Sequence, residues 1–338
     1  MTLDRSHDSK DNSEIHTASV LVTGGAGFIG SHLVDALLAS DNRVTVIDDM
    51  STGRQSNLQI ENDQLTLIHG TVGEQLAFQE PSFDYIFHLA AAVGVKLVVD
   101  EPIRTIETNV LETSAILRFA AKNKTPVMLA STSEVYGKSE ALPMQEDGNL
   151  VFGSTEKSRW SYGCSKALDE HLAMAWYRRE DLPVRIPRFF NTIGPRQKGS
   201  WGMVVPRFVA AALSGKPLIV YGDGSQTRCF CDVRDMVPML LDLIKTDDAV
   251  GKAVNVGSDT PITILQLAEL VKNTLNSNST IEFKTMNEVY GDGFEDLQDR
   301  QPDLTRLHSL IGTRTKFSLQ KTITSIAESF VISTGNEQ

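Results

Sequence analysis

Along the chain, compact apolar runs alternate with segments whose apolar residues recur at helical spacing. Residues 19–22 form one such run, ending in glycines. The next segment, 31–39, is apolar at 33, 34, 37 and 38, which lie on one face of a helix. A second strand is predicted at 44–47. The alternation continues with strands at 65–69, 84–89, 127–131 and 184–190 and helices at 105–121 and 165–178. Strands separated by helices are joined by parallel crossovers, so the pattern predicts an α/β chain with a doubly wound parallel sheet.

After Asn191 the pattern changes. Pro195, Pro206 and Pro217 interrupt short segments, and the turn-rich stretch YGDGSQT follows. A helix at 235–245 and a strand at 253–256 then resume the earlier alternation. The division expected is a solvated, mobile tail at 1–18, a nucleotide-binding domain at 19–190 with returning segments at about 228–257, and a smaller C-terminal substrate-binding lobe from 191–227 and 258–338.

Composition narrows the class. With 338 residues, 41% hydrophobic and 22% charged, the chain can bury a large core and is not a disordered polymer. No uncharged apolar stretch reaches the length of a membrane span, and the N-terminus lacks the apolar centre of a secretory signal. The formal charge of −11 disfavours a general nucleic-acid binder. Cys164, Cys229 and Cys231 are too few and scattered for a disulfide framework, which places the chain in a reducing cytoplasm.

The strongest local signal is LVTGGAGFIGSHLVDALL. Gly24, Gly27 and Gly30 lie between a strand and a helix, where glycine allows the backbone, and the helix start from Gly27 through Phe28 and Ile29, to approach a pyrophosphate. A second strand ends in Asp48, about twenty residues on, as a Rossmann-type dinucleotide site requires. Asp48 can accept from both ribose hydroxyls and repels a 2′-phosphate, which favours NAD; Arg54 nearby keeps NADP open. Tyr162 and Lys166 form Y-x-x-x-K, two side chains on one helix face, where an ammonium can stabilise a phenolate and the tyrosine can take a proton as hydride leaves. A core tyrosine beside a solvated lysine is the plain alternative.

Seven motifs in order carry a family resemblance: TGGAGFIG, VIDD, FHLAA at 87–91, STSEVYG at 131–137, YGCSK, RFFNTIGP at 188–195 and GDGSQTRCF at 222–230. Together, from about 19 to about 325, they resemble the extended short-chain dehydrogenase/reductases that act on nucleotide sugars as epimerases, dehydratases and decarboxylases. The resemblance implies an NAD enzyme with Leu89 and Ala90 against the cofactor and Thr132 hydrogen-bonded to the sugar 4-oxygen beside Tyr162. It also implies that Asn191, Arg228, Arg300 and Asp303 bind a nucleotide sugar, most often UDP-linked, and that helices 105–121 and 165–178 pair in a homodimer. Asn191 alternatively serves a turn, and Arg300 with Asp303 a surface ion pair. One departure is HGTVGEQ, where Thr71 replaces the acid that often meets adenine.

Within that family the members considered begin by oxidising C4 of the sugar. A 4-epimerase needs little beyond Tyr162, Lys166 and Thr132. Dehydratases resemble STDEVYG, and here Ser133 replaces the aspartate. Decarboxylases retain a glutamate and a later arginine, matched by Glu134 and Arg228, with Glu134 orienting the sugar or managing a proton, or else serving as a structural hydrogen-bonder. The expectation is decarboxylation of UDP-glucuronate to UDP-xylose, with 4-epimerisation of a UDP-sugar as the alternative; dehydration and a silent NAD-binding regulator rank below both.

Overall fold

The computed structural model describes residues 15–80, 82–94, 98, 100–197, 199, 203–290, 297–312 and 315–335. In chain order the first half runs β1 Ser19–Thr23, α1 Phe28–Ala39, β2 Arg43–Asp48, β3 Leu65–His69, α2 Val72–Leu76, β4 Tyr85–His88 and α3 Pro102–Ala121. It continues with β5 Val127–Leu129, β6 Ser131–Thr132, α4 Ser161–Glu180, β7 Val184–Phe189 and β8 Thr192–Ile193. The second half contains α5 Val204–Leu213, β9 Leu218–Tyr221, β10 Thr227–Cys229, β11 Cys231–Asp232, α6 Val233–Lys245, β12 Lys252–Val256, β13 Pro261–Thr263 and α7 Ile264–Thr274. It ends with β14 Ile281–Lys284, α8 Met286–Tyr290, β15 Asp299–Arg300, α9 Thr305–Ile311 and α10 Leu319–Gly335.

The main sheet has the order β12-β7-β5-β4-β1-β2-β3, with β6 also on β7, and every pairing is parallel. Its central strands are apolar on both faces because both are covered. Val20, Val22, Val44 and Val46 pack with α1 and α6 on one side, and Leu21, Ile47, Ile86 and Val127 pack with α2, α3 and α4 on the other. The chain winds outward from β1 to β3, then returns to begin again at β4. Ligands of such sheets bind at the carboxyl ends of the strands at that reversal.

The smaller lobe has a separate core in which Val205, Phe208, Leu218, Leu267, Ile323 and Ile326 meet. Around it lie the parallel pair β9 and β14 and the three-stranded group β13-β10-β15. Two details differ from the expected division. Leu304 and Leu307, around α9, pack into the core beside α1 and α6 rather than into the smaller lobe. The expected tail also ends sooner than 18: residues 1–14 lie outside the described residues, but Ile15 and Ala18 are buried.

Asn42 explains why the chain is seated so early. Its buried amide accepts from Ala18 N (3.0 Å) and donates to Ile15 O (2.7 Å) and Leu37 O (2.8 Å), tying the entry to β1 to the end of α1. Removing it leaves buried backbone groups unpaired. Asn42→Ala is expected to lower unfolding free energy by roughly 2–3 kcal/mol in urea titration; a loss under about 0.5 kcal/mol contradicts this account of the N-terminal segment.

Candidate functional site

A cleft of about 490 Å³ runs along the carboxyl edge of the sheet. It brings together Gly24, Gly27, Phe28, Ile29, Gly30, Asp48, Leu89, Ala90, Thr132, Glu134, Tyr162, Lys166, Asn191, Arg228 and Arg300. Of the site residues expected from sequence, Asp303 stands outside this lining. Its Oδ1 accepts from Thr305 N at the start of α9, and its Oδ2 accepts from Gln145 Nε2. Nor do Arg300 and Asp303 form a surface ion pair, because Arg300 is buried and turns to Glu134.

The first end of the cleft is shaped for a dinucleotide. Gly24 has φ +71°, and a Cβ there would lie 2.7 Å from Ala90 N; one at Gly30 would lie 2.2 Å from Gly24 O. The backbone is packed so closely that the turn admits no side chain at either position. Gly27 caps α1 without a side-chain hydrogen bond, leaving the first N–H groups of the helix to an anion. Asp48 is fixed by Ala26 N on Oδ2 and Met50 N on Oδ1, each 2.9 Å away, so both oxygens keep a lone pair for a diol. Burial pushes its carboxyl above the usual value, opposed by those two N–H groups.

The loop after β3 lacks an acid, but one lies beside it from another element. Glu112 of α3 lines the cleft beside Gly70, Thr71 and Val72 and accepts from Gly73 N at 2.5 Å. Thr71 spends its hydroxyl on Glu74. The sequence could not reveal this substitution, since Glu112 is 41 positions beyond Thr71 and on another element.

The other end of the cleft holds the catalytic candidates. Tyr162 and Lys166 occupy the first turns of α4, which begins earlier than the apolar pattern indicated. Gly163 lets that helix start rest on the turn after β6, for a Cβ at 163 would lie 2.5 Å from Glu134 O. Within the turn, Thr132 Oγ1 accepts from Glu134 N (3.2 Å), and the Thr132 side chain also bonds Tyr162. Burial, then the carboxylates of Glu134 and Asp169, push the Tyr162 phenol well above its usual range, with Thr132 and Arg159 opposing.

Glu134 joins two arginines. Arg159, in the short helical turn Ser158–Trp160, grips both its oxygens, and Arg300 Nη1 donates to Oε1 at 2.8 Å. Burial works against ionisation, but the two guanidiniums prevail and hold the carboxyl far below the usual carboxylate range. Glu134 is therefore a fixed anion and not a proton donor. Arg159, buried and on the cleft wall, escaped sequence reasoning. The signal was its place three residues before Tyr162, but an arginine next to a lysine and a serine reads as a solvated loop.

Arg228 and Arg300 are partners across the parallel strands β10 and β15, yet their guanidiniums diverge. Arg228 donates to the carbonyls of Thr227, Gln298 and Leu297, so it fastens the strand entering β15 as well as lining the cleft. Asn191 Nδ2 donates to Cys229 O (3.0 Å), tying the end of β7 to the second lobe while facing the cleft. Among the described residues no cluster of metal-ligating side chains occurs, and no helix is long and apolar enough to cross a membrane.

Comparison with known proteins agrees with this geometry. Residues 20–257 match the model of the NAD dependent epimerase/dehydratase family. A UDP-N-acetyl-alpha-D-glucosaminuronate decarboxylase of Bacillus cytotoxicus is 40% identical over 294 residues, 86% of this chain and 90% of that protein. UDP-glucuronic acid decarboxylase 1 of Danio rerio is 37% identical over 304 residues, 89% and 69% of the two chains. Among solved structures, UDP-glucose 4-epimerase of Thermotoga maritima with UDP-glucose superimposes with a TM-score of 0.84 at 27% identity, covering 94% of this chain and 99% of that one.

The tight turn yields a direct check. Gly30→Ala is expected to weaken dinucleotide binding by about a hundredfold or more and to destabilise the fold by roughly 1–3 kcal/mol through overpacking. Dinucleotide released from denatured, purified protein reads the first effect and thermal unfolding the second; dinucleotide content equal to wild type contradicts the proposed close approach.

Proposed function

For a chain that belongs to the NAD dependent epimerase/dehydratase family, as this one does, we propose decarboxylation of a UDP-linked hexuronate to a UDP-pentose through a 4-keto sugar, with NAD as cofactor. The preferred pair is UDP-glucuronate and UDP-xylose. One observation carries this reading: beside Tyr162, two buried guanidiniums meet on a single half-buried carboxylate, Arg159–Glu134–Arg300. Both guanidiniums lie on the cleft wall. A uronate carboxylate reaching that wall meets planar donors that suit it, whereas the neutral hexose of a simple 4-epimerase gains no charge-assisted bond there.

NAD, when bound, would supply the hydride chemistry at C4. Asp48 would hold the adenosine ribose, Glu112 would accept from the adenine amino group, and Gly24 to Gly30 would cradle the diphosphate. Burial keeps the Tyr162 phenol protonated in the protein alone, so Tyr162 would take the O4 proton only once Lys166 and the positive charge of the bound cofactor together offset a phenolate, with Thr132 aligning the oxygen. The resulting β-keto acid loses carbon dioxide from C5, and the electron pair moves toward the C4 oxygen. There the protonated Tyr162 hydroxyl stabilises the enolate. C5 would then take a proton from water, and once C4 is reduced Tyr162 would return its own proton to O4. Glu134 sets the spacing of Arg159 and Arg300 throughout, and Asn191 and Arg228 shape the nucleotide end.

The closing experiment is incubation with UDP-glucuronate and, separately, UDP-N-acetylglucosaminuronate, with products read by NMR. Carbon dioxide and a UDP-pentose are expected from at least one. A six-carbon epimer retained in full, such as UDP-galacturonate, transfers the assignment to 4-epimerisation. Tyr162→Phe should lower turnover by about 10² to 10⁴ while retaining NAD. Glu134→Gln should lower it at least about tenfold, with nucleotide affinity almost unchanged.

We also propose a cytoplasmic homodimer. Ile103 and Leu111 on α3 are 72% and 63% exposed, and Leu168 on α4 is 53% exposed, although the two helices pack side by side. Pairing that face with its copy forms a four-helix bundle and removes the apolar side chains from water. Light scattering at micromolar concentration should give twice the single-chain mass of 37.1 kDa; the single-chain mass contradicts the dimer.

A further inference from the structure

Lys166 is not alone behind the tyrosine. Its Nζ lies 2.8 Å from Asp169 Oδ2, and the two side chains are 3% and 0% exposed. Tyr162, Lys166 and Asp169 stand at i, i+4 and i+7 of α4, so they share one face of the helix. Tyr162 and Lys166 border the cleft, while Asp169 lies deeper, away from it. None of the expected chemistry uses this carboxylate.

Its surroundings show what it answers to. From α3, Thr113 faces it. From β4, His88 is bonded through Nδ1 to Thr23 Oγ1 (2.7 Å) and through Nε2 to Thr113 Oγ1 (3.3 Å). Burial, assisted by Lys166, pushes His88 down to about 3, so this ring is neutral near pH 7. On α4 itself, Glu170 is occupied by Arg188 and Ser131. From the turns beside Tyr162 come Glu134, Arg159 and Arg300, already joined to one another. The cation bonded to Asp169 is Lys166.

We propose that Asp169 is a positioning residue that keeps the buried Lys166 charged and aimed into the cleft. An ammonium has three N–H donors. Asp169 anchors one from behind, leaving two for the cofactor ribose and the tyrosine oxygen. The need is electrostatic: Lys166 is removed from water, so an ammonium there requires a counter-charge. Burial pushes the Asp169 carboxyl up, and Lys166 is the leading opposing influence, as expected for two groups that stabilise each other's ionised form. The inference rests on Tyr162 and Lys166 being the proton-transfer pair.

The test compares wild type, Asp169→Asn and Lys166→Met as full-length protein from pH 6 to pH 9.5. Two quantities are read: the NAD dissociation constant, by protein fluorescence, and kcat with the uronate that the wild type decarboxylates. With Asn at 169 the side chain still fills the space but no longer compensates the ammonium. Near pH 6 the variant should lie within about threefold of wild type. As pH rises, its ammonium gives up the proton, so kcat should fall roughly tenfold per pH unit along a new alkaline limb while NAD affinity weakens over the same range. A deficit of equal size at every pH, or no deficit, overturns the inference. Asp169→Ser removes the same charge with less bulk and is held to the same criteria if the Asn protein does not fold. Lys166→Met separates the two levels: if it is fully active, the reading of the lysine itself fails. If it is inactive while the Asp169 variants have flat profiles, only the role given to Asp169 falls.

Discussion

A charge can be kept inside a protein only if another charge or a set of dipoles replaces the water it has lost. That constraint organises this site more than any single motif. Glu134 is enclosed by Arg159 and Arg300, Lys166 is backed by Asp169, and Arg188 is locked to Glu170 beneath them. The pairs of Glu134 and Arg188 fasten separate stretches of chain to one another, while Lys166 and Asp169 pair within α4. The turn after β6, the start of α4 and strand β15 meet because their side chains cannot be left alone.

The sheet makes such meetings available. Parallel strands all end at the same edge, so the glycine turn after β1, the acid of β2 and the turn after β6 arrive at one cleft without long loops. The smaller lobe lines the facing side of the cleft, with Arg300 from β15 and Arg228 from β10 among its residues, and Arg228 also holds the backbone leading into β15. The division of labour is physical. The sheet edge carries Thr132, Tyr162 and Lys166, and the lobe brings the guanidiniums of Arg228 and Arg300 to the same cleft.

Much of this was legible in the residues. Alternating apolar runs specify a parallel sheet because both faces of each strand are buried, and Gly24, Gly30 and Asp48 are recognisable because a phosphate and a diol impose narrow requirements on backbone and acid. Tyr162 and Lys166 are visible through helical spacing. What stayed hidden depends on contacts distant in sequence. Arg159 acquires meaning only when Glu134 and Arg300 close around it, and Glu112 only when α3 brings it to Gly73. Asp303 differs in the opposite sense: its spacing from Arg300 suggested a joint role, but its carboxylate turns away from the cleft to accept from Thr305 N and Gln145 Nε2.

The arginine cluster also constrains how this protein could change during evolution. Its members lie at positions 134, 159 and 300, on three separate stretches of chain, and each is tolerable in the interior because of the others. Replacing Glu134 alone removes the carboxylate that both guanidiniums share; replacing either arginine alone alters both the charge and the seat of the glutamate. A lineage moving from an acidic to a neutral sugar would therefore cross a valley of poorly folded or inactive intermediates unless the positions changed in concert. Descendants that share the glycine turn and the tyrosine–lysine pair can consequently have diverged in substrate charge, and the three positions read jointly are a better record of that history than any one of them.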